Sequence, residues 1–273
     1  MELRGKVGIL TGASRGIGVF LAEALARKGV DLALAARSAE DLESTAKVVR
    51  DLGVRAITVP TDVTKREDLE TLIARTTEEL GPPDLLVNNA GVEHYDYFEE
   101  ADLDGIESLI KTNLIAAEWL TRLALPEMVR RRSGHIVNIA SVAGKTAAPY
   151  NTVYSSSKHG LVGFSWSLRE EMKRYGIGVS VVNPGYVGDA GMFHDWSRGE
   201  KPPGLIKTVT PQKVADETIA AIEKDKPEVM VTTGLARIVD IFHAISPKLT
   251  TAIARRTGNY GFLERGVKEW RGR

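Results

Sequence analysis

The sequence lacks several features that would point to a particular environment or partner. It contains no cysteine, which excludes disulfide bonds and thiolate zinc sites. Its 36 basic and 36 acidic residues cancel, so the whole-chain charge gives no reason to expect a nucleic-acid partner. No uninterrupted apolar run approaches the roughly 18 residues that span a bilayer, and the N-terminus leads into a predicted strand without room for a signal peptide. These absences predict a cytoplasmic protein.

The sequence also lacks histidines at the spacing that is typical of metal ligands. The five histidines show no pairing typical of a metal site and lie at His94, His135, His159, His194 and His243. The segment GFSWS at 163–167 lacks the final glycine of a nucleophile elbow. We therefore expect neither a metal ion nor a covalent intermediate.

What the sequence does contain is a regular alternation of short apolar runs and longer segments with helical periodicity. The apolar runs predict seven strands, at 7–10, 32–36, 56–59, 85–87, 135–139, 179–182 and 229–231. The longer segments predict helices at about 17–28, 39–52, 66–80, 102–131, 152–175 and 211–224. Most apolar runs show little polar alternation, as is typical of parallel strands covered by helices on both faces. The pattern predicts an α/β fold with a Rossmann-type, doubly wound, seven-stranded parallel sheet in a single domain.

A glycine-rich turn, TGASRGIG, follows the first predicted strand and opens the first predicted helix at residues 11–18. Gly12 permits a tight turn, Gly16 lets the backbone approach a pyrophosphate, and Gly18 allows the helix to pack closely on the strand. A pyrophosphate at this helix N-terminus would meet free N–H groups and the positive end of the helix dipole. The turn therefore predicts a dinucleotide-binding crevice.

Tyr154 and Lys158 are separated by three serines in YSSSK, which places both side chains on one face of a predicted helix. An ammonium group one turn from a phenol stabilises the phenolate and lowers the pKa of the tyrosine. Tyr154 would then be the acid in carbonyl reduction and the base in alcohol oxidation. Ser141 ends the fifth predicted strand, where its hydroxyl can donate to the substrate oxygen. The alternatives are a solvated polar helix face and a turn-capping role for Ser141.

In the order of its motifs the chain resembles the classical short-chain dehydrogenase/reductase (SDR) family. The resemblance covers about residues 5–233 and depends on the spacing Gly-x-x-x-Gly-x-Gly, on NNAG at 88–91 and on the Tyr–Lys pair. It implies hydride transfer between a nicotinamide and a carbonyl or secondary alcohol. It also implies that Asn113 is a fourth catalytic residue, which holds a water that continues the proton path from Lys158.

The resemblance also assigns the contacts to the cofactor. It implies that Asp62 lies at the adenine, that Asn89 lies near the adenosine ribose, and that Lys158 hydrogen-bonds the nicotinamide ribose. The predicted cofactor-binding residues are Gly12, Ser14, Arg15, Gly16, Ile17, Gly18, Arg37, Asp62, Val63, Asn89, Ala90, Gly91, Tyr154, Lys158, Pro184, Gly185 and Val187. The sequence departs from the family at Asp189, where a threonine is usual.

The end of the second predicted strand bears on the choice of nicotinamide cofactor. NAD enzymes typically have an acidic residue here that binds the ribose 2′-hydroxyl, whereas this sequence has Arg37, followed by Ser38. Arg15 in the glycine turn can reach the same place, and two guanidiniums suit a 2′-phosphate. We therefore predict an NADP(H)-dependent oxidoreductase. The alternatives are an NAD-linked dehydrogenase of the same fold and a non-catalytic nucleotide-sensing scaffold, which the presence of Tyr154 and Lys158 disfavours.

Residues 189–210 interrupt the alternation of strands and helices and form a segment that is long for a loop. This predicts a lid over the substrate. The residues expected at this site are Met192, Phe193 and Trp196 in the lid and His94, Tyr95 and Tyr97 after the fourth strand. They predict an apolar or bulky small-molecule carbonyl or alcohol as the substrate. The alternative is a surface loop with its own small apolar cluster.

We divide the chain into a dinucleotide-binding and catalytic domain at 1–233 and a C-terminal extension at 234–273. Residues 235–273 carry eight basic and three acidic side chains, a net charge of +5. Apolar residues recur there at helical spacing, at Leu235, Ile238, Val239, Phe242, Ile245, Leu249 and Ile253. One interpretation is a weak peripheral membrane contact through residues 235–256; the other, which we favour, is packing over the domain or a partner subunit. The family resemblance implies a homodimer or homotetramer.

Overall fold

Seven parallel strands form one sheet in the order β3-β2-β1-β4-β5-β6-β7. The computed structural model describes residues 1–197, 200–203, 207–233, 243 and 245–271. The strands are β1 (Val7–Thr11), β2 (Asp31–Ala36), β3 (Ala56–Pro60), β4 (Leu85–Asn88), β5 (Gly134–Ile139), β6 (Ile177–Pro184) and β7 (Glu228–Val231). The order reverses between β1 and β4, which opens a crevice at the carboxyl edge of the sheet. The predicted doubly wound sheet is confirmed.

The six predicted helical segments agree closely with helices of the structure, and three further described helices lie in the predicted lid and in the C-terminal extension. The described helices are α1 (Ile17–Arg27), α2 (Ala39–Asp51), α3 (Arg66–Glu79), α4 (Leu103–Ile110), α5 (Ala116–Arg131), α6 (Thr152–Met172), α7 (Met192–Ser197), α8 (Pro211–Glu223), α9 (Pro247–Arg256) and α10 (Asn259–Arg271). One predicted helix, at 102–131, is divided into α4 and α5 by a π-helical turn at Lys111–Ile115. Single π turns of this kind often lie at functional sites.

Two apolar layers cover the two faces of the sheet. Helices α1, α2 and α8 bury their apolar sides against one face, where Leu10 and Leu34 lie. Helices α3, α5 and α6 cover the other, where Ile9 and Ala33 lie. Because successive residues of a strand point to opposite faces, a strand buried on both sides reads as an unbroken apolar run. This explains why the strands showed so little polar alternation.

The C-terminal extension is described only in part. Four of the apolar positions singled out from the sequence, Leu235, Ile238, Val239 and Phe242, lie outside the described residues. Of the others, Ile245, Leu249 and Ile253 are exposed, by 75%, 52% and 48%. Among the helices that the structure describes, none is both long enough and apolar enough to cross a membrane.

Candidate active site

The glycine turn between β1 and α1 has a geometry that only glycine satisfies. Gly12 and Gly16 have φ angles of 65° and 58°, in the left-handed region. A Cβ atom on Gly12 would lie 2.9 Å from Ala90 Cα, and one on Gly18 would lie 2.0 Å from the Gly12 carbonyl oxygen. The tight turn and the close helix–strand contact expected from the sequence are therefore present, and α1 points its N-terminus into the crevice.

A hydrogen-bonded clasp holds the glycine turn to the segment that follows β4. The Thr11 hydroxyl oxygen accepts from the backbone N–H groups of Asn89 and Ala90, each at 3.0 Å. The Asn89 side-chain amide donates to the carbonyl oxygens of Thr11, at 3.0 Å, and Gly12, at 3.1 Å. NNAG thus joins the two strands that flank the crevice, and the Asn89 amide is occupied by the protein itself.

Two arginines with exposed guanidinium groups flank the crevice. Within the described residues, the side chains of Arg15 and Arg37 form no ion pair and no hydrogen bond. Ser38 caps α2 because its hydroxyl oxygen accepts from the Asp41 backbone N–H at 3.3 Å. The carboxyl end of β2 therefore presents cations and a hydroxyl but no acid, in agreement with the sequence.

Asp62 lies close enough to this group to be affected by it. A hydrogen bond from the Thr64 hydroxyl, 2.7 Å long, is the main reason why the pKa of Asp62 is lowered, although burial opposes the shift. Lys65 and Arg37 add smaller effects in the same direction. The carboxylate is therefore charged at neutral pH and faces the same crevice as Arg37.

Tyr154 and Lys158 lie on the first turns of α6 and are both buried, with 7% and 3% of their surfaces exposed. The Lys158 Nζ is 5.6 Å from the centroid of the Tyr154 ring. It donates a hydrogen bond to the Ile139 carbonyl oxygen at 2.9 Å. The predicted pair is therefore brought into one pocket, with the ammonium anchored on the last residue of β5.

The predicted lowering of the tyrosine pKa is wrong for this structure. Burial raises the pKa of Tyr154, a nearby carboxylate at Glu93 raises it further, and interaction with the Ser141 hydroxyl lowers it only in part. Burial also lowers the pKa of Lys158 to about 8, against the opposing effect of Glu93. Desolvation of the phenolate outweighs the attraction expected from the spacing alone.

Ser141 follows β5 and combines the two roles considered for it. Its hydroxyl oxygen accepts from the Ala143 backbone N–H at 3.1 Å and so caps the short 3₁₀ turn Val142–Gly144. The interaction that lowers the pKa of Tyr154 shows that the same hydroxyl faces the phenol. Capping thus fixes the position of Ser141 beside Tyr154.

Asn113 lies in the π-helical turn and is 1% exposed. Its side-chain oxygen accepts from the Val92 backbone N–H at 2.8 Å, and its amide donates to the Val92 carbonyl oxygen at 2.8 Å and to Ser157 Oγ at 3.2 Å. Ser157 in turn donates to the Tyr154 carbonyl oxygen at 2.7 Å. Asn113 therefore ties the loop after β4 to the helix that carries Tyr154.

A small internal cavity of about 10 Å³ lies beside Asn113. Its lining is mixed and consists of four polar residues, including Thr11, Asn88 and Asn113, and six apolar ones. The volume is at the lower limit of what can hold one water molecule.

Residues of the predicted lid, of the loop after β4 and of α10 pack together into one apolar cluster. We use the name "aromatic roof" for Tyr95, Phe193, Trp196, Phe262, Leu263 and Val267, all of which are buried. The Tyr95 and Trp196 ring centroids are 4.9 Å apart, and those of Trp196 and Phe262 are 5.3 Å apart. The lid residues Phe193 and Trp196 are thus buried, as expected, and the roof also contains three residues of α10 that sequence reasoning missed.

Glu93 is a further residue that sequence reasoning missed. Its Oε1 atom accepts from the Tyr95 hydroxyl at 2.9 Å and from the Asn151 side-chain amide at 2.6 Å. Burial raises the pKa of Glu93, although both hydrogen bonds and the charge of Lys158 oppose the shift. In the sequence it is one acid in a polar stretch, VEHYDYFEE, with no pattern that separates it from surface acids.

The chain beyond β6 passes close to both halves of the crevice. Gly185 donates to the Val231 carbonyl oxygen at 3.0 Å, and Val187, which is buried, pairs with Val209 as an isolated bridge. A Cβ atom on Gly16 would lie 3.1 Å from Gly191 Cα, so the loop also meets the glycine turn. Asp189 is exposed, and nothing in the structure explains its presence there.

The chain is similar in sequence to several known proteins. A family model described as short chain dehydrogenase matches residues 6–201. Ketoacyl reductase HetN of Nostoc sp. is 40% identical over 268 residues, which cover 96% of this chain and 93% of that protein. Estradiol 17-beta-dehydrogenase 11 of Mus musculus is 30% identical over 265 residues, which cover 96% of this chain and 86% of that protein.

Among solved structures, a crystal structure of an actinorhodin polyketide ketoreductase variant with NADPH is similar to this chain. Its TM-score is 0.77 at 31% sequence identity, and the match covers 85% of this chain and 97% of that chain. Fold, motif order and relatives agree, and the chain therefore belongs to the short-chain dehydrogenase/reductase family of oxidoreductases.

Proposed function

We propose that this protein is an NADP(H)-dependent ketoreductase in which Tyr154 donates the proton to the reduced carbonyl. The observation that carries the proposal is the meeting of Tyr154, Ser141 and Lys158 in one buried pocket beside the glycine turn. The glycine turn, the N-terminus of α1 and the pair Arg15 and Arg37 would hold the nucleotide. When bound, the reduced nicotinamide supplies the hydride.

The protonation states of the pocket are those that proton donation to a carbonyl requires. Because burial and Glu93 raise the pKa of Tyr154, the phenol keeps its proton at neutral pH and is available as a donor. Lys158, with a pKa of about 8, is largely an ammonium at pH 7 and stabilises the phenolate left after transfer. Ser141 donates to the developing alkoxide.

Two kinds of observation support NADP(H) rather than NAD(H). In the described part of the chain the guanidinium groups of Arg15 and Arg37 have no ion-pair or hydrogen-bond partner, and a 2′-phosphate would supply one. The similar polyketide ketoreductase was crystallised with NADPH. An NAD-linked dehydrogenase of the same fold is the alternative, and it would leave both guanidiniums unpaired beside the ribose.

The aromatic roof supports an apolar or bulky ketone as the substrate. It closes the pocket with large side chains from the lid, from α10 and from the loop after β4. Such walls bind substrate through apolar contact and exclude water from the reacting carbonyl. The names of several relatives, including ketoacyl reductase and polyketide ketoreductase, support a ketone as the reacting group.

We also propose two contacts for the molecular surface. The first is a contact between subunits of a homo-oligomer through α5 and α6, the two longest described helices. Helix α6 carries Trp166, which is 44% exposed.

The second is a weak peripheral membrane contact through α9. On this helix Leu249 and Ile253 are exposed, and Lys248 and two arginines lie on the same helix. Packing by α10 and membrane contact by α9 thus involve different helices of the extension.

The deciding experiment is a panel of ketones and alcohols assayed with NADPH and NADH, using wild type and Tyr154→Phe. We expect wild type to reduce at least one bulky ketone with NADPH, and Tyr154→Phe to lose about 10²–10⁴-fold in kcat. NADPH binding by the variant, measured by fluorescence titration, should stay within about threefold of wild type. Full turnover by Tyr154→Phe would show that Tyr154 is not the acid. Nucleotide binding without turnover of any panel member by wild type would favour the sensing scaffold.

A further inference from the structure

Glu93 places a carboxylate in the pocket beside the reacting groups. It follows β4, close to Gly91, whose absent Cβ would lie 3.7 Å from Lys158 Nζ. Its charge raises the pKa of Tyr154 and of Tyr186 and counters the lowering of the Lys158 pKa. Electrostatic effects of this kind need short distances through a poorly solvated medium. Glu93 therefore shares one pocket with the two residues that handle the proton.

Only one of the two carboxylate oxygens is used by the protein. Tyr95 and Asn151 both donate to Oε1, and among the described residues no donor reaches Oε2. The nearby ammonium, that of Lys158, donates to the Ile139 carbonyl oxygen instead. The side chain is only part-buried, so its free oxygen is not sealed in the core. A poorly solvated carboxylate with an open acceptor is costly unless something donates to it.

Other polar atoms around this pocket also lack partners. Asn151, which is 3% exposed, has a buried Oδ1 atom with no hydrogen-bond partner in the described part of the chain. Within the same residues, Nε1 of Trp196 is likewise buried and unpaired, and Trp196 packs directly on Tyr95. Buried polar atoms are nearly always satisfied in folded proteins. Both atoms are buried, so they mark a polar corner beside the aromatic roof, and Oε2 of Glu93 is the acceptor there that a ligand can reach.

We propose that Glu93 is a substrate-binding residue: its Oε2 atom accepts a hydrogen bond from a hydroxyl or amide N–H group that the ketone carries apart from its carbonyl. The inference rests on the proposed ketoreductase function and narrows its substrate class. The substrate is then a bulky ketone with an uncharged hydrogen-bond donor. Ketones with an anionic group at that position are rejected, because a carboxylate cannot pair with another negative charge.

The obvious rival is a purely structural Glu93 that only holds Tyr95 and Asn151. The isosteric change Glu93→Gln separates the two roles. A glutamine oxygen can still accept from Tyr95 and Asn151, which preserves the structural contacts. Its amide NH₂ replaces Oε2, so an acceptor that faces the pocket becomes a donor of similar shape.

The test uses cyclohexanones that carry a hydroxyl, a methoxy or a carboxylate group at each ring position in turn. Hydroxyl and methoxy groups both accept hydrogen bonds, but only the hydroxyl donates. With saturating NADPH, we expect wild type to prefer hydroxyl over methoxy by about 10–100-fold in kcat/KM at one ring position at least. In Glu93→Gln this preference should fall below about threefold, and kcat/KM for the carboxylate ketone at that position should rise. Glu99→Gln, an exposed acid in the same segment, is the matched control.

A second measurement does not depend on turnover. Dissociation constants of the same ketones for NADP⁺-loaded wild type and Glu93→Gln, measured by calorimetry, should show the same selectivity. Equal wild-type values for hydroxyl and methoxy ketones at every position, or no binding of either, overturn the inference. An unchanged preference in Glu93→Gln also overturns it. Reduction of unsubstituted cyclohexanone that depends on Tyr154 would leave the proposed function intact in each of these cases.

Discussion

The Lys158 ammonium donates a hydrogen bond to the carbonyl oxygen of Ile139, the last residue of β5, at 2.9 Å. Two residues further on, Ser141 faces the Tyr154 phenol. The end of a single strand therefore positions two residues that flank Tyr154, the proposed proton donor. The strand thus fixes the position of Lys158, and the contribution of its charge can be tested by changing the pH.

The pH profile of ketone reduction should reflect that charge. Burial lowers the pKa of Lys158 to about 8, so the ammonium is present below pH 8 and is lost as the pH rises through it. We expect kcat/KM with saturating NADPH to be level from about pH 6 to 7.5 and then to fall by up to about tenfold per unit of pH. Lys158→Arg, which keeps its charge, should move the falling limb upward if it is active. A wild-type profile that is flat to about pH 10 would contradict this prediction.

Two glycine substitutions should have opposite effects on stability. In Gly18→Ala the new Cβ would lie 2.0 Å from the Gly12 carbonyl oxygen, and we expect a loss of more than about 3 kcal/mol in the free energy of unfolding. Gly163 lies within α6, and a Cβ added there would meet no other atom within 4 Å, so Gly163→Ala should add about 0.5–1 kcal/mol. Urea denaturation measures both. Equal stability of the two variants would refute the close contact at the glycine turn.

Arg37 should determine the choice of cofactor. Arg37→Asp removes a guanidinium and places an acid where NAD enzymes typically have one. We expect kcat/KM with NADPH to fall about 10–100-fold and kcat/KM with NADH to change by less than about threefold. Arg27→Asp, an exposed arginine in α1 that pairs with Glu23, serves as the control and should leave the ratio unchanged. Equal losses with both cofactors would mean that Arg37 does not contact the 2′-phosphate.

His135 should make the protein sensitive to mild acid. It is 2% exposed, its Nε2 lies 2.9 Å from Ser180 Oγ, and burial lowers its pKa to about 4. The unfolded chain, with a histidine pKa near 6.5, binds more protons between these values. The free energy of unfolding should therefore fall as the pH drops from about 6.5 to 4, by roughly 3 kcal/mol in all.

Denaturant unfolding at a series of pH values measures this effect. His135→Gln should flatten the slope between about pH 6.5 and 4, whereas His159→Gln, which changes an exposed histidine, should not. A slope that is the same in wild type and His135→Gln would assign the acid sensitivity to other groups.

Flotation with anionic liposomes should report on α9. We expect weak, salt-sensitive binding by wild type, because apolar contact and basic residues act together on this helix. The double variant Leu249→Ser and Ile253→Ser should lose it. Leu103→Ser, which changes a leucine that is 79% exposed on α4, should retain it. Failure of wild type to float at low salt would end the membrane proposal and leave subunit packing as the explanation for the exposed side chains.

The sheet could be predicted in full because local sequence and tertiary environment agree there. Each strand is a short apolar run bounded by glycine or polar residues. Because both faces of each strand are covered, no alternation of polar and apolar residues is needed to recognise it. The glycine turn could be predicted equally well. The left-handed backbone conformation at Gly12 and the close contact at Gly18 exclude every larger residue. Tyr154 and Lys158 could be placed together from helical spacing alone.

The environment of the site could not be predicted in the same way. The spacing of Tyr154 and Lys158 gives their proximity but not their burial, and burial reverses the direction of the tyrosine pKa shift. Glu93 looks like any surface acid until the fold brings it to Asn151, 58 residues away along the chain. The π-helical turn at Asn113 depends on contacts with the loop after β4, which no local pattern encodes.

The aromatic roof has a consequence for how the protein is made. Phe262, Leu263 and Val267 pack in one cluster with Tyr95, a residue that is translated more than 160 positions before them. Domains begin to fold from the N-terminal side during translation. The sheet can therefore begin to fold before α10 has been translated, whereas the aromatic roof cannot form until α10 is present.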